Sequence, residues 1–413
     1  MKKYTLSLLM LLASWSIFGQ TIIDNPKTGI NAASGVKLTK IEISDSATVL
    51  HFTTTAPPGA AIRVPESTFI RLNGSGDRLL IKRTEGITIN EWYRMSASGQ
   101  VSYKIFFPPI DKSVKTIDYG EGDFGGAWNI YDIQIKALAG AKLIPQTIYG
   151  NWFNENTGSW EVSFFDTLAV YKSQLWKYNA INLKNGKGSV KLFNKDKQVE
   201  LFIKEGANGT CMIGETASKL ESFTNDVSKL NPKAENTDKP YELPVFKKDS
   251  AIYCGYIKGY SPRIWIKTLN VYVNNIITGD QNEYVGKINS DGYFYVKFPL
   301  YAPNEIFVSS TLFNTSAYVE PGKTLFQMID PGSSLGSYLY TGELAKLNSD
   351  LQKLANINSF NYNEVMGKIL EMKANDYKAY CMNSMQKDLD ALNTAMQDKT
   401  ISAKAVIDND NLL

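Results

Sequence analysis

Residues 175–209 read LWKYNAINLKNGKGSVKLFNKDKQVELFIKEGANG. Three strand-like runs stand out: Leu175-Trp176-Lys177-Tyr178, Val190-Lys191-Leu192, and Val199 to Ile203. Asn185-Gly186 and Asn194-Lys195-Asp196 separate them, and Ala207-Asn208-Gly209 follows. Asn, Asp and Gly accept positive φ at low cost, so such residues close tight hairpins. The spacing predicts a β-meander, and this reading sets the fold class as mainly β.

The same grammar extends upstream. Thr39–Ile43 and Val49–Phe52 are strand-like, and Phe69–Leu72 and Leu79–Lys82 flank the turn Asn73-Gly74-Ser75-Gly76-Asp77. Val101, Tyr103, Ile105 and Phe107 alternate with Ser102, Lys104 and Phe106 before Pro108-Pro109 stops the run. Short strands with turn signals between them suggest a sandwich. Downstream, Tyr253–Gly259, Tyr293–Val296 and Thr324–Phe326 form another strand set, with turns at Asn289–Gly292 and Glu320–Lys323. Beyond residue 340 the period changes. Leu344, Leu347, Leu351 and Leu354 recur at helical spacing, as do Tyr362, Val365, Met366, Ile369 and Leu370, then Leu389, Leu392 and Met396. Core packing is the expected role of that apolar face.

The expected organisation is a signal peptide over 1–19, a β-sandwich over 20–143 and a small β-meander over 144–223. A polar linker over 224–245, a β-sandwich over 246–333 and a helical segment over 334–413 follow. In short, tandem small β-sandwich and meander domains precede a C-terminal α-helical segment. The leader reading rests on Met1-Lys2-Lys3, the apolar run Tyr4 to Phe18, and Gly19-Gln20. It predicts export to the periplasm or cell envelope. No Cys follows the run to carry a lipid anchor, and no other segment is long and apolar enough to span a bilayer. The 44 basic and 41 acidic residues nearly cancel, which gives no steering field for nucleic acid.

The residues that could carry chemistry are few. His51 is the single histidine, so a histidine-based metal cluster is excluded, and its strand setting argues against a catalytic triad. Gly120-Glu121-Gly122-Asp123-Phe124-Gly125 matches the dinucleotide fingerprint letter for letter. That loop must open a helix for its N–H groups to meet phosphate, whereas Trp128-Asn129-Ile130-Tyr131 reads as a strand. Glu121 and Asp123 would also repel phosphate, and two acids in one loop are weak evidence for glycosidic hydrolysis. Asp408-Asn409-Asp410-Asn411 lacks the glycine and the distal glutamate of a calcium loop and reads as a polar tail. Cys211, Cys254 and Cys381 form no CxxC and read as small buried residues. No catalytic residue, metal or cofactor is expected. Trp128, Trp152, Trp160 and Trp176 are either core residues of small β units or exposed platforms that stack a ligand, notably a sugar.

GYIKGY (255–260), NSDGYFYVKF (289–298) and AYVEPGKTLFQMID (317–330) resemble the β domain that precedes the thioredoxin domain of TlpA-like thiol-disulfide oxidoreductases. KIEISDSATVLHF (40–52), FFPPIDKSVKTIDYGE (106–121) and GNWFNENTGSWEVSFFDTLAVYKSQLWKY (150–178) resemble the long N-terminal regions of that group. So does the helical stretch from YTGELAKLNSDLQKL (340–354) to DYKAYCMNSMQKDLDALN (376–393). In that family the helices lead into a thioredoxin domain whose W-C-x-x-C pair does the redox chemistry. That pair is absent here. The resemblance therefore implies a non-catalytic envelope accessory protein. Its expected partner is an envelope protein or a separate thioredoxin-like domain. A carbohydrate- or ligand-binding envelope protein is the alternative.

Overall fold

The computed structural model describes residues 21–33, 35–111, 113–136, 144–230, 246–275, 278–331, 339–398 and 400–410. The expected leader, residues 1–19, lies outside them, as does most of the expected linker. The chain is mostly β, with 47% strand and 13% helix. It divides into two compact units at residues 138/139.

The first unit has two main antiparallel sheets around one core, beside a short ladder of Ala61–Ile62 with Tyr93–Arg94. One has the spatial order Thr21–Asp24, Val36–Ile43, Thr48–Thr55, Gln100–Phe107, Arg83–Glu85. The other runs Asn129–Gln134, Thr116–Gly120, Phe69–Leu72, Arg78–Leu80. The alternation read over 101–107 has a structural cause: Val101, Tyr103, Ile105 and Phe107 point inward while Ser102 and Lys104 meet solvent. Ile41, Leu50 and Phe52 from the first sheet pack with Ile70, Ile117, Tyr119 and Ile133 from the second. The Phe52 ring lies 4.9 Å from that of Tyr119, which joins the two layers.

The second unit opens with a barrel. Its eight antiparallel strands are Gly150–Asn154, Trp160–Phe164, Leu168–Tyr171, Gln174–Lys184, Lys187–Asn194, Lys197–Glu205, Thr210–Thr216 and Lys219–Thr224. The last pairs back onto the first through Phe153↔Thr224 and Asn154↔Phe223, so the meander closes. Closure removes the exposed edges that an open meander would leave. Asn185 (φ 49°) and Gly186 (φ 72°) form a primed turn between strands Gln174–Lys184 and Lys187–Asn194. Gly188 is required for a second reason: its φ is +149°, and a Cβ would lie 1.8 Å from Asn182 O. Where a linker is expected from 224, the chain first makes a 3-10 turn, Val227–Lys229, capped by the Asp226 side chain.

An eight-stranded sheet follows. Its order is Phe313–Val319, Asn304–Ser310, Thr268–Asn274, Gln281–Ile288, Tyr293–Leu300, Asp249–Ile257, Thr324–Ile329, Leu339–Thr341. Only Asp249–Ile257 and Thr324–Ile329 pair in parallel. Gly255 lies on that seam, where a Cβ would come within 2.0 Å of Gln327 O. One half of the outward face, with Cys254, Tyr256, Phe326 and Met328, packs against Trp160, Phe165, Leu168 and Val170 of the barrel. The other half carries Tyr272, Val285, Tyr295 and Phe307 outward. A buried polar chain closes the interior. Tyr253 Oη donates to Gln327 Oε1 (2.5 Å), and Gln327 Nε2 donates to Tyr340 Oη (3.2 Å).

Four helices end the unit: α1 Ala345–Leu354, α2 Tyr362–Lys368, α3 Ala374–Ala395 and α4 Ala403–Asp410. Two expectations are corrected here. The segment expected to be helical from 334 contains the strand Leu339–Thr341, held by pairing to Thr324–Ile329. The expected polar tail at Asp408 is the end of α4, which packs on α1 through Ala405 and Val406. Helix α1 is pinned to the sheet by a two-way amide clasp. Asn348 Oδ1 accepts from Tyr318 N (2.7 Å), and Asn348 Nδ2 donates to Tyr318 O (2.9 Å). Fully buried Asp350 accepts from Ser402 N (2.9 Å) and pairs with Lys346, which ties α1 to the start of α4.

Candidate functional site

Of the four tryptophans read as either core residues or ligand platforms, three are buried and one is half-buried. Trp152 is 1% exposed inside the barrel, and its Nε1 donates to Ile148 O (2.7 Å). Trp160 is buried between barrel and sheet, donating to Ser163 Oγ (2.8 Å). Trp176 is buried and donates to Tyr171 O (2.8 Å). Trp128 is half-buried against the core of the first unit. In Trp152, Trp160 and Trp176 the polar edge is paired and the ring buried, so each contributes area to packing.

The Gly120–Gly125 stretch is the loop between strands Thr116–Gly120 and Asn129–Gln134, and no helix follows it. Asp123 is spent on two cations, Arg78 at 2.8 Å and Arg71 at 3.4 Å. Both guanidiniums lie over the Phe69 ring. Glu121 turns the other way into the protein and is only 7% exposed. Its carboxylate has just two long contacts, from Tyr119 Oη (3.4 Å) and Trp128 N (3.3 Å). Burial without strong partners pushes its pKa up to about 7. The pair is therefore one exposed anchor of two arginines and one buried acid, not two acids facing a common cleft.

His51 sits in the first sheet with Nε2 3.2 Å from Glu42 Oε1, among Lys40 and Lys104. Burial lowers its pKa. Among the described residues, no group of three or more His, Cys, Asp or Glu side chains could hold a metal ion. All three cysteines are free. Burial pushes the thiols of Cys211 and Cys254 up to about 12, which suppresses the nucleophilic thiolate. Cys381 stands on α3 one turn after Tyr377, whose phenol pKa its side chain raises by hydrogen bonding.

The surface that sequence reasoning missed is helical. Helices α1 to α4 bury Leu347, Leu354, Val365 and Leu392, but much of the apolar face expected to pack does not. On α2 and just beyond it, Tyr362, Met366 and Leu370 recur every fourth residue. They are exposed, Leu370 at 99%. On α3, the buried stripe is Ser384, Asp388 and Leu392, while Met382, Met385 and Met396 lie on its flank in solvent. Asp388 is polar within that buried stripe because its carboxylate accepts from Ser359 N (2.7 Å), ahead of α2. These exposed apolar side chains lie on or just beyond two consecutive helices. Methionine suits an interaction face because its side chain adapts to a partner.

A second feature lies on the sheet. An open groove of about 380 Å3 is lined by Trp265, Lys267, Asn270, Ser309, Ser310 and Thr311, among others. Among the described residues, no helix is long and apolar enough to cross a membrane. Comparison with known protein families, with curated proteins and with solved structures finds no match to this chain.

Proposed function

We propose that this chain is an exported, non-catalytic accessory protein of the cell envelope that docks a partner through α2 and α3. The observation that carries the reading is the exposed apolar set Tyr362, Met366, Leu370, Met382 and Met385 on a segment otherwise tied down by Asn348, Asp350 and Asp388. Asn348 and Asp350 fix α1, and Asp388 and Tyr380 of α3 hold the chain at the start of α2 through Ser359 N and Asn361 N, so the apolar residues of α2 and α3 project from a segment tied at those points. The leader-like N-terminus supports export. The buried, high-pKa Cys211 and Cys254 support a role without thiol chemistry. The resemblance to TlpA-like N-terminal regions makes a separate thioredoxin-like domain the first partner to test, because in that family the corresponding helices adjoin one.

Photo-crosslinking residues placed at Met366 and Met385 in living cells are expected to give a discrete adduct with a second envelope protein. The same group at exposed Lys195, in a barrel turn, is expected to give none. Leu370→Lys should abolish the adduct while shifting stability by no more than about 0.5 kcal/mol, the usual range for an exposed site. Absence of any adduct at both helical positions would refute the docking role.

A further inference from the structure

We infer that the groove beside Trp265 is a binding site for a neutral oligosaccharide. The site is independent of the helical docking face and rests on different residues.

Its construction follows from strand register. Asn270 faces Ser309 across strands Thr268–Asn274 and Asn304–Ser310, and Tyr272 faces Phe307 two residues along. Period two places all four on the same outward face. Tyr272 and Phe307 are stacked, with centroids 6.2 Å apart and planes 27° from parallel, and Phe307 stays 45% exposed. Asn270 Nδ2 donates to Tyr272 Oη (3.3 Å), which links the aromatic row to the polar one. Beyond Asn270 the groove is lined by half-buried Trp265 and by Ser309, Ser310 and Thr311, with the Ser309 hydroxyl donating to Asn314 Oδ1 (2.9 Å) and that of Ser310 accepting from Leu312 N (3.4 Å). Its volume falls in the roughly 300–1,000 Å3 range of small-ligand sites.

Three properties fix the ligand class. A sugar ring has an apolar C–H face and a rim of hydroxyls. The site offers aromatic faces beside amide and hydroxyl groups, which match both. No carboxylate lines the groove. Its one cation, Lys267, keeps its charge but donates to Pro262 O (2.5 Å), so the lining offers a single engaged cation to an anionic ligand and no acid to a cationic one. A nucleic acid would need several phosphate-contacting cations. A peptide strand would need an open sheet edge, whereas these two strands are each paired on both sides.

The test is calorimetric titration of the full chain with neutral hexasaccharides of the β-glucan, xylan, mannan and chitin classes. At least one is expected to bind, and Phe307→Ala and Trp265→Ala should each weaken it by roughly tenfold or more. Trp265→Phe keeps an aromatic wall and should recover most of the affinity. Denaturant unfolding of each variant separates lost contacts from lost fold, and Phe307, being exposed, is the variant least exposed to that doubt. Failure of every glycan to titrate, or unchanged affinity in a folded Phe307→Ala protein, would overturn the inference. So would competition of the bound glycan by a peptide alone.

Discussion

Trp152→Ala is expected to cost the second unit about 3–5 kcal/mol, the range for removing a large aromatic from a core. The indole is 1% exposed and packs in the barrel core with Val162, Phe164, Val190, Leu201 and Phe223. Its loss leaves a cavity that a closed barrel cannot collapse into, because every strand is held by two neighbours. It also strips a hydrogen-bond donor from Ile148 O. Urea unfolding followed by barrel-specific hydrogen exchange would measure this. A cost below about 1 kcal/mol would mean that the ring is not a core element. The same substitution distinguishes core from platform. A platform tryptophan can be removed with binding lost and stability kept, and here the loss is in stability.

Glu121→Gln is expected to stabilise the first unit at pH 8 and to do nothing at pH 4. The folded-state pKa is about 7 against an ordinary value of 4.5, because burial disfavours the charge. Between those values the folded protein holds a proton that the unfolded chain has released. Stability therefore falls as pH rises from about 4.5 to 7 and then levels off. The full effect is at most about 3 kcal/mol. Against the burial that raises Glu121 stand the Trp128 N–H, the Tyr119 hydroxyl and the Arg63 charge, which partly offset it, while burial and then the Glu121 charge push the Tyr119 and Tyr103 phenols up. Glutamine keeps the shape and removes the ionisation. Paired denaturant titrations at the two pH values are the check. An equal effect at pH 4 and pH 8 would show that Glu121 is not charged against its surroundings.

The strand content was legible because the chain writes its period plainly. Val101 to Phe107 alternates, and the core faces receive the odd positions. Hairpin turns were legible for the same reason: Asn185-Gly186 needs positive φ twice and has it. Closure of the meander into a barrel was not legible, because nothing local in Phe153 or Thr224 announces their long-range pairing. Strand Leu339–Thr341 was missed because three residues carry no period, and only its parallel-seam neighbour Thr324–Ile329 gives it a place. The four tryptophans were ambiguous by composition, since size alone suits both a core and a platform. The exposed helical flank was hidden by the assumption that an apolar stripe is a buried stripe. The one available signal was Asp388 in the middle of the α3 stripe, a polar side chain where core packing would want a hydrocarbon. The aromatic row of Tyr272 and Phe307 needed register, which spacing along the chain cannot supply.

We propose that this chain contributes surfaces and has no redox chemistry of its own. Dithiothreitol-driven reduction of insulin disulfides tests it most directly, because that is the reaction to which the family resemblance points. With Cys211 and Cys254 buried at pKa values of about 12, and Cys381 apart on α3, the account predicts turbidity at the rate of dithiothreitol alone. A rate comparable to that of thioredoxin would contradict it.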